Sequence, residues 1–482
     1  MYHFARSTNS FYVDCFINLR DSAVNIISRL ESIVGRKNVS IEQADLENFG
    51  LDRTSVYCSN PRVIVFPTSI DQIQEVIYLA NDLEVPIVPS GGRTGLSGGA
   101  VASNSEIVLS MNKMNSILDV NLNDRTVTVE AGATTQEVQE EAYKNGLFYP
   151  VNFASVGSSQ IGGNVATNAG GVNVIKYGMT RDWVSGITAV TGSGELLVLN
   201  KSLIKNNTGY DFRHLFIGSE GTLGIICQVT LKLTEPPPPS SVFILGVSKF
   251  KDLLEVLKIF QSKLSLQAFE FFCDHALEKV IEVHGHSKPF VTYAPFYALI
   301  DFENQDNTSQ DEALKLYSEC VDKKLVLDGV MSKSIAQSRH MWKLREDISE
   351  TLWHYQPYKN DLSVRISKMP NFLDEIDSFI KKSYPNFEVI WYGHIGDGNL
   401  HLNILKPDEL NKSEFKSRCD DISINLGQLV ESFDGSISAE HGVGLLKRNY
   451  LKFSKSSGEI NLMAEVKKVF DPKGILNPGK LL

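Results

Sequence analysis

The sequence predicts an α+β protein built from two large domains, and three observations carry that reading. Glycine-rich segments recur three times before residue 226, with neither a Rossmann G-x-G-x-x-G nor a P-loop signature among them. Four consecutive prolines, Pro236 to Pro239, then form a stiff spacer that no sheet interior accepts. Beyond them, strand-like and helix-like stretches alternate over about 180 residues, which predicts an antiparallel sheet with helices on one face.

Composition narrows the function classes. A chain of 482 residues has room for two or three domains with ample cores. A net charge of −10, with no basic stripe interleaved with aromatics, argues against a nucleic-acid partner. No apolar run approaches the ~18 residues of a membrane span. The six cysteines (Cys15, Cys58, Cys227, Cys273, Cys320, Cys419) show no CxxC spacing, which speaks against an iron–sulfur cluster, a zinc ribbon or a disulfide framework. They read as buried thiols in a reducing compartment, cytoplasmic, or mitochondrial if the source is eukaryotic. The first residues, MYHFARSTNSFYVDCF, hold no secretory apolar region.

Taken in order, residues 20 to 36 place Ala23, Ile26, Ile27, Leu30 and Ile33 at helical spacing. Val63 to Pro67 reads as a strand and Ser69 to Asn81 as a helix capped by Ser69. Pro89 to Ala100, PSGGRTGLSGGA, carries five glycines in twelve positions, so its backbone N–H groups can converge on an anion. Arg93 can add charge, and Thr94 and Ser97 hydroxyls; a plain surface loop would also look like this. Val156 to Gly178 is again rich in Gly, Ser, Asn and Thr but poor in charge, as expected of a polar wall around a ligand. Tyr210 to Ile226 adds Gly218-Ser219-Glu220-Gly221-Thr222 ahead of a strand.

After the prolines, Val242 to Val247 and Tyr293 to Asp301 read as strands, and Lys251 to Lys263 and Glu312 to Lys323 as helices. His340 to Trp353 is helical in pattern and sets Arg345 and Ser349 on one face. An arginine there suits either a structural ion pair or an anionic ligand. Trp391 to Asn403, WYGHIGDGNLHLN, reads as a hairpin whose Gly-Asp-Gly-Asn turn brings His394 and His401 together, with Asn403 on the face of His401. Ser436 to Gly444, SISAEHGVG, adds the adjacent pair Glu440 and His441. Two imidazoles and a carboxylate are a donor set for Zn²⁺, with Mn²⁺ or Co²⁺ as alternatives. His284-Gly285-His286 has no third ligand near it in sequence and reads as a solvated loop.

Four segments, Pro89 to Ala100, Ile161 to Gly171, Asn207 to Asp211 and Phe216 to Ile225, resemble the flavin domain of the vanillyl-alcohol oxidase and p-cresol methylhydroxylase (PCMH) superfamily. Within it the chain is most similar to the branch of D-2-hydroxyglutarate dehydrogenase, D-lactate dehydrogenase and the glycolate oxidase D subunit, from about residue 55 onward. The resemblance implies a PCMH-type FAD-binding domain over 55–235 and an α+β substrate domain over 240–435. An N-terminal helical segment (1–54) precedes them, and a C-terminal helical segment (436–482) returns to the flavin domain. The implied FAD contacts are Pro89, Ser90, Gly91, Gly92, Arg93, Thr94, Gly95, Leu96, Ser97, Ser155, Gly157, Ser158, Gly162, Gly163, Asn164, Thr167, Asn168, Gly170, Gly171, Glu220, Gly224 and Ile226. Residues 89–100 lack histidine and cysteine, so the flavin is expected to be non-covalent.

By the same resemblance His394, His401 and Glu440 hold the metal, Arg345, Ser349, Lys359 and Asn403 meet the substrate, and His441 is the general base. Lys480, in the C-terminal signature, either approaches the flavin or is structural. The implied reaction passes hydride from C2 of a D-2-hydroxy acid to flavin N5, with the metal on the substrate hydroxyl. D-2-hydroxyglutarate is the first expectation and D-lactate or glycolate the alternative. A silent flavin subunit of an electron-transfer assembly is the rival from another class. An external acceptor, an electron-transfer flavoprotein or a quinone, is expected to take the electrons, and a homodimer is among the expected assembly states.

Overall fold

The computed structural model describes residues 26–54, 56–304 and 308–482. Three sheets organise it. A four-stranded sheet runs in the order Val39–Ser40, Val63–Val65, Ile107–Ser110, Ile87–Ser90, parallel except at its first pair. A five-stranded antiparallel sheet follows the order Ile117–Asn121, Thr126–Glu130, Gly224–Lys232, Val184–Thr191, Leu196–Leu199. The two share one apolar core, into which the helix over 26–34 inserts Ile26, Leu30 and Val34. Ala23 and Cys15 lie outside the described residues. The Ser69 cap is present: its side chain accepts from the Gln72 N–H at the start of the helix Ile70–Leu83.

The proline spacer leads into a seven-stranded, wholly antiparallel sheet. Its order is Val326–Met331, Ser240–Val247, Phe296–Glu303, Leu266–Cys273, Val389–His394, Asn399–Ile404, Tyr358–Ser363. Helices cover both of its faces, not one as the sequence pattern suggested. Along Ser240–Val247, Val242 and Ile244 enter a core with the helices Asp274–His284 and Ile335–Glu346. Phe243, Leu245 and Val247 enter another with the helices Phe250–Gln261, Met369–Ser383 and Lys412–Ser432. Strands apolar at every position are what two covered faces require.

The predicted helix over 340–353 is divided: Ile335–Glu346 ends at Asp347, and Ile348–Thr351 begins a shorter turn. Near the C-terminus, the helix Ser457–Phe470 packs Val466 and Phe470 on the first core, and Leu476 forms a parallel bridge with Ile87. Residues 475–477 thus close onto a strand of the four-stranded sheet almost four hundred positions earlier. Of the described cysteines all are free, and Cys58 is exposed rather than buried.

Candidate active site

The hairpin forms as expected, with His394 paired to Asn399 and Tyr392 to His401. The two histidines are therefore diagonal rather than directly opposed, with ring centroids 5.2 Å apart. Gly396 lets the turn approach the flavin side, because a Cβ there would stand 2.6 Å from Ile175 Cδ1. Glu440 arrives from the C-terminal segment. His394 Nε2 and His401 Nε2 each lie 3.7 Å from its Oε1, and His441 Nε2 lies 4.0 Å away. Three imidazole nitrogens from separate segments thus converge on one carboxylate oxygen.

Two carboxylates that sequence reasoning did not single out organise this cluster. Glu270, the one acid on the largely apolar strand Leu266–Cys273, accepts from His394 Nδ1 at 2.7 Å and lies 2.7 Å from Arg345 Nη2. Asp361, fully buried, sits at the heart of the other side. It accepts from the backbone N–H groups of Glu440 and His441 and from Asn399 Nδ2, each at 2.9 Å. Its oxygens face His401 Nδ1, His441 Nδ1 and Lys447 Nζ at 3.6, 3.7 and 3.8 Å. A lone acid inside an apolar strand was a legible signal for Glu270. Asp361 stands in the YKNDLS stretch, two residues after Lys359, which the sequence reading chose instead.

Charge follows from burial and neighbours. Burial disfavours a proton on His394, but the Glu270 carboxylate outweighs it and raises the pKa well above that of a free imidazole. His401, buried and facing His394, is pushed down to about 3 despite Asp361 and Glu440. Burial works against the charge on Asp361, yet His441, Lys447 and His401 hold its carboxyl well below the usual range. Three carboxylates here meet Arg345, Lys447 and the proton held on His394, and a bound cation would take that proton's place. The pocket's nitrogen and oxygen donors, with the far ring nitrogen of His394 anchored on Glu270, fit a divalent transition ion.

The predicted substrate residues border the same place. Arg345 stacks its guanidinium 4.7 Å from the Tyr392 ring centroid, and its Nε and Nη2 have no hydrogen-bond acceptor despite the close Glu270 oxygen. The structural ion pair and an open face for an anion therefore coexist. Lys359 Nζ donates to Ser349 O and Oγ at 3.0 and 3.1 Å, and burial, helped by Arg53, lowers its pKa to about 8. Asn403 is buried with its Oδ1 unsatisfied.

Next to this cluster runs a long cleft lined by Pro89, Ser90, Gly91, Gly92, Arg93, Thr94, Gly95, Ser97, Gly162, Gly163, Asn164, Thr167, Glu220, Gly224 and Ile226. Asp52, Gln160 and Asn477, which the sequence did not suggest, also line it. Leu96, Ser155, Gly157, Ser158, Asn168, Gly170 and Gly171 are not on its wall. Several form the layer behind: a Cβ on Gly92 would meet Ser158 O at 2.1 Å, one on Gly171 would meet Asn152 O at 2.0 Å, and Asn168 Oδ1 accepts from Arg181 N. Gly170 instead abuts the cluster, since its Cβ would stand 3.0 Å from Glu440 Oε2. Lys480 is buried 3.9 Å from Glu106 Oε1, and burial lowers its pKa to about 8.

Cleft and cluster are tied together by Glu220. Its carboxylate accepts from Val443 N and Gly444 N, both at 2.7 Å, just beyond His441. In the cleft, Asp52 Oδ2, Ser90 Oγ, Gln160 Oε1 and Asn477 Oδ1 are buried without partners. Three of these are acceptors, so a fitting ligand brings hydroxyl or N–H donors as well as phosphates, and FAD brings both.

Comparison with known proteins agrees. Residues 61–200 match the FAD binding domain model, and residues 236–481 match the model described as FAD linked oxidases, C-terminal domain. The chain is 51% identical to D-2-hydroxyglutarate dehydrogenase of Xanthomonas citri pv. viticola, over 94% of this chain and 96% of that protein. It is also 51% identical to the enzyme of the same name from Stutzerimonas stutzeri, over 95% and 98%. In fold it is similar to p-cresol methylhydroxylase with substrate bound, at a TM-score of 0.77 and 16% identity, covering 95% of this chain and 97% of that one. The chain belongs to the FAD-linked oxidases, in the branch that includes the D-2-hydroxyglutarate dehydrogenases.

Proposed function

We propose that this FAD-dependent dehydrogenase oxidises D-2-hydroxyglutarate to the 2-oxo acid at the junction of cleft and cluster. The observation that carries the reading is the convergence of His394, His401 and His441 on Glu440 Oε1, beside Gly170 and the buried Arg345 guanidinium, whose Nε has no acceptor. Arg345 and Lys359 bind the substrate's carboxylates and turn C2 toward the cleft, so positioning is converted into rate. His441 Nε2 takes the hydroxyl proton, while Asp361 beside Nδ1 fixes the ring and stabilises its cationic form. Asn403 and Ser349 complete the polar wall. A divalent ion held by His394, His401 and Glu440, with zinc the first choice, would acidify the hydroxyl and stabilise its developing negative charge. FAD held non-covalently by the cleft residues would supply the hydride acceptor, and an external carrier, an electron-transfer flavoprotein or a quinone, would receive the electrons.

Anaerobic stopped-flow mixing with D-2-hydroxyglutarate, D-lactate and glycolate, scored by flavin bleaching, tests the reading. Fastest bleaching by D-2-hydroxyglutarate is expected, and equal or faster bleaching by D-lactate would overturn the substrate assignment. His441→Asn should slow bleaching by about 10²–10⁴-fold with FAD still bound. A wild-type rate in that variant removes His441 as the base.

A further inference from the structure

The His284-Gly285-His286 motif lacks a third ligand only along the sequence. Gly285, at φ +69°, ends the helix Asp274–His284 in a left-handed turn that returns both imidazoles to one side. Their rings stack with centroids 5.5 Å apart and planes within 14°. Asp347, 61 positions after His286, faces them from the joint between the helices Ile335–Glu346 and Ile348–Thr351. His286 Nε2 lies 2.9 Å from Asp347 Oδ2, and His284 Nε2 lies 2.9 Å from Thr351 Oγ1. One ligand atom from each of His284, His286 and Asp347 falls within 4.8 Å of the others. A fourth polar group is close at hand, since the His340 ring stands edge-on to His286 at 5.5 Å.

We propose that His284, His286 and Asp347 bind one divalent transition-metal ion on the outer face of the substrate domain, separate from the His394, His401 and Glu440 cluster. Two imidazoles and a carboxylate on a solvent-facing edge match borderline ions such as Zn²⁺, Co²⁺ and Ni²⁺, with water filling the open positions. Hard ions that want several oxygens find only one carboxylate here. The three donor atoms lie within 4.8 Å of one another, so side chains closing inward would bring them to the ~2 Å bonds that such ions make. An ion at this place would also fasten the end of one helix to the joint that follows Arg345, two residues before Asp347.

The test is equilibrium dialysis of untagged holoenzyme against Ni²⁺ alone, counting ions bound to wild type, His286→Ala and His394→Ala. His286→Ala should bind one equivalent fewer than wild type, or bind that equivalent at least tenfold more weakly, while turnover is unchanged. Equal uptake by wild type and His286→Ala overturns the proposal. The His394→Ala variant reports on the other cluster, so failure of that cluster to hold metal changes the total and leaves the wild-type minus His286→Ala difference intact. If His286→Ala does not fold, the exposed His284 supplies the second variant, and His284→Ala must show the same deficit.

Discussion

In the flavin cleft the decisive groups are the ones that are missing, whereas in the histidine–carboxylate cluster they are side chains. Gly92 leaves no room for a methyl against Ser158 O, and the cleft wall is backbone, hydroxyls and short polar groups. The cluster instead gathers Glu270, Asp361, Arg345, Lys447, Glu440 and three histidines from five separated stretches, all wholly or largely buried and within ion-pair distance of one another's partners. One region is thus harmed by additions and the other by removals. They meet at Gly170 and Glu220, where a glycine makes space for Glu440 and a buried acid caps the loop beyond His441.

The sharpest challenge to this contrast is Asp361→Asn. It leaves His401, His441 and Lys447 beside a neutral amide and replaces an acceptor of two backbone N–H groups. Unfolding in denaturant should show a loss on the order of 3–5 kcal/mol; a change below about 1 kcal/mol would mean that solvent reaches the cluster freely and that burial is not what ties it together.

Gly92→Ala probes the other region. Overpacking by a single methyl costs about 1–3 kcal/mol, and FAD affinity measured by fluorescence should fall about tenfold, with the seven-stranded sheet unaffected. Unchanged affinity would show that the loop gives way and that absence of a side chain is not decisive there.

The smallest effect concerns Lys359. Its pKa, lowered to about 8 by burial and by Arg53, leaves it charged below that pH and neutral above it. A substrate anion loses this partner as pH rises, so KM should increase several-fold between about pH 7 and about pH 9 with little change in kcat. Lys359→Arg should flatten the profile, since guanidinium keeps its charge throughout.

Much of the cleft was legible because its parts are nearly contiguous in sequence: Pro89 to Gly95 with Ser97, and Gly162 to Asn164 with Thr167, line it. The hairpin histidines and the Glu440-His441 pair were legible for the same reason. Asp361 and Lys447 were not, and Glu270 showed only as a lone acid with no partner in view, because the neighbours of all three are set by tertiary packing. Leu266–Cys273 lies beside Val389–His394, and Tyr358–Ser363 beside Asn399–Ile404, and no local periodicity encodes those neighbours. Asp52 and Asn477 escaped for a similar reason, reaching the cleft from opposite ends of the chain. The expectation of helices on one sheet face failed where strands such as Leu266–Cys273 bury both faces.

The closure of residues 475–477 onto Ile87 sets a clock on biosynthesis. The Ile87 N–H donates to Ile475 O at 2.8 Å, Asn477 N returns a bond to Ile87 O at 2.7 Å, and the Asn477 amide donates to Gly99 O and Glu220 O. A ribosome that has finished the first domain has therefore made most of the cleft but not its last wall. Tight flavin retention thus depends on residues 475–477 as well as on the first domain, and chains cut short before them should leave translation without their colour.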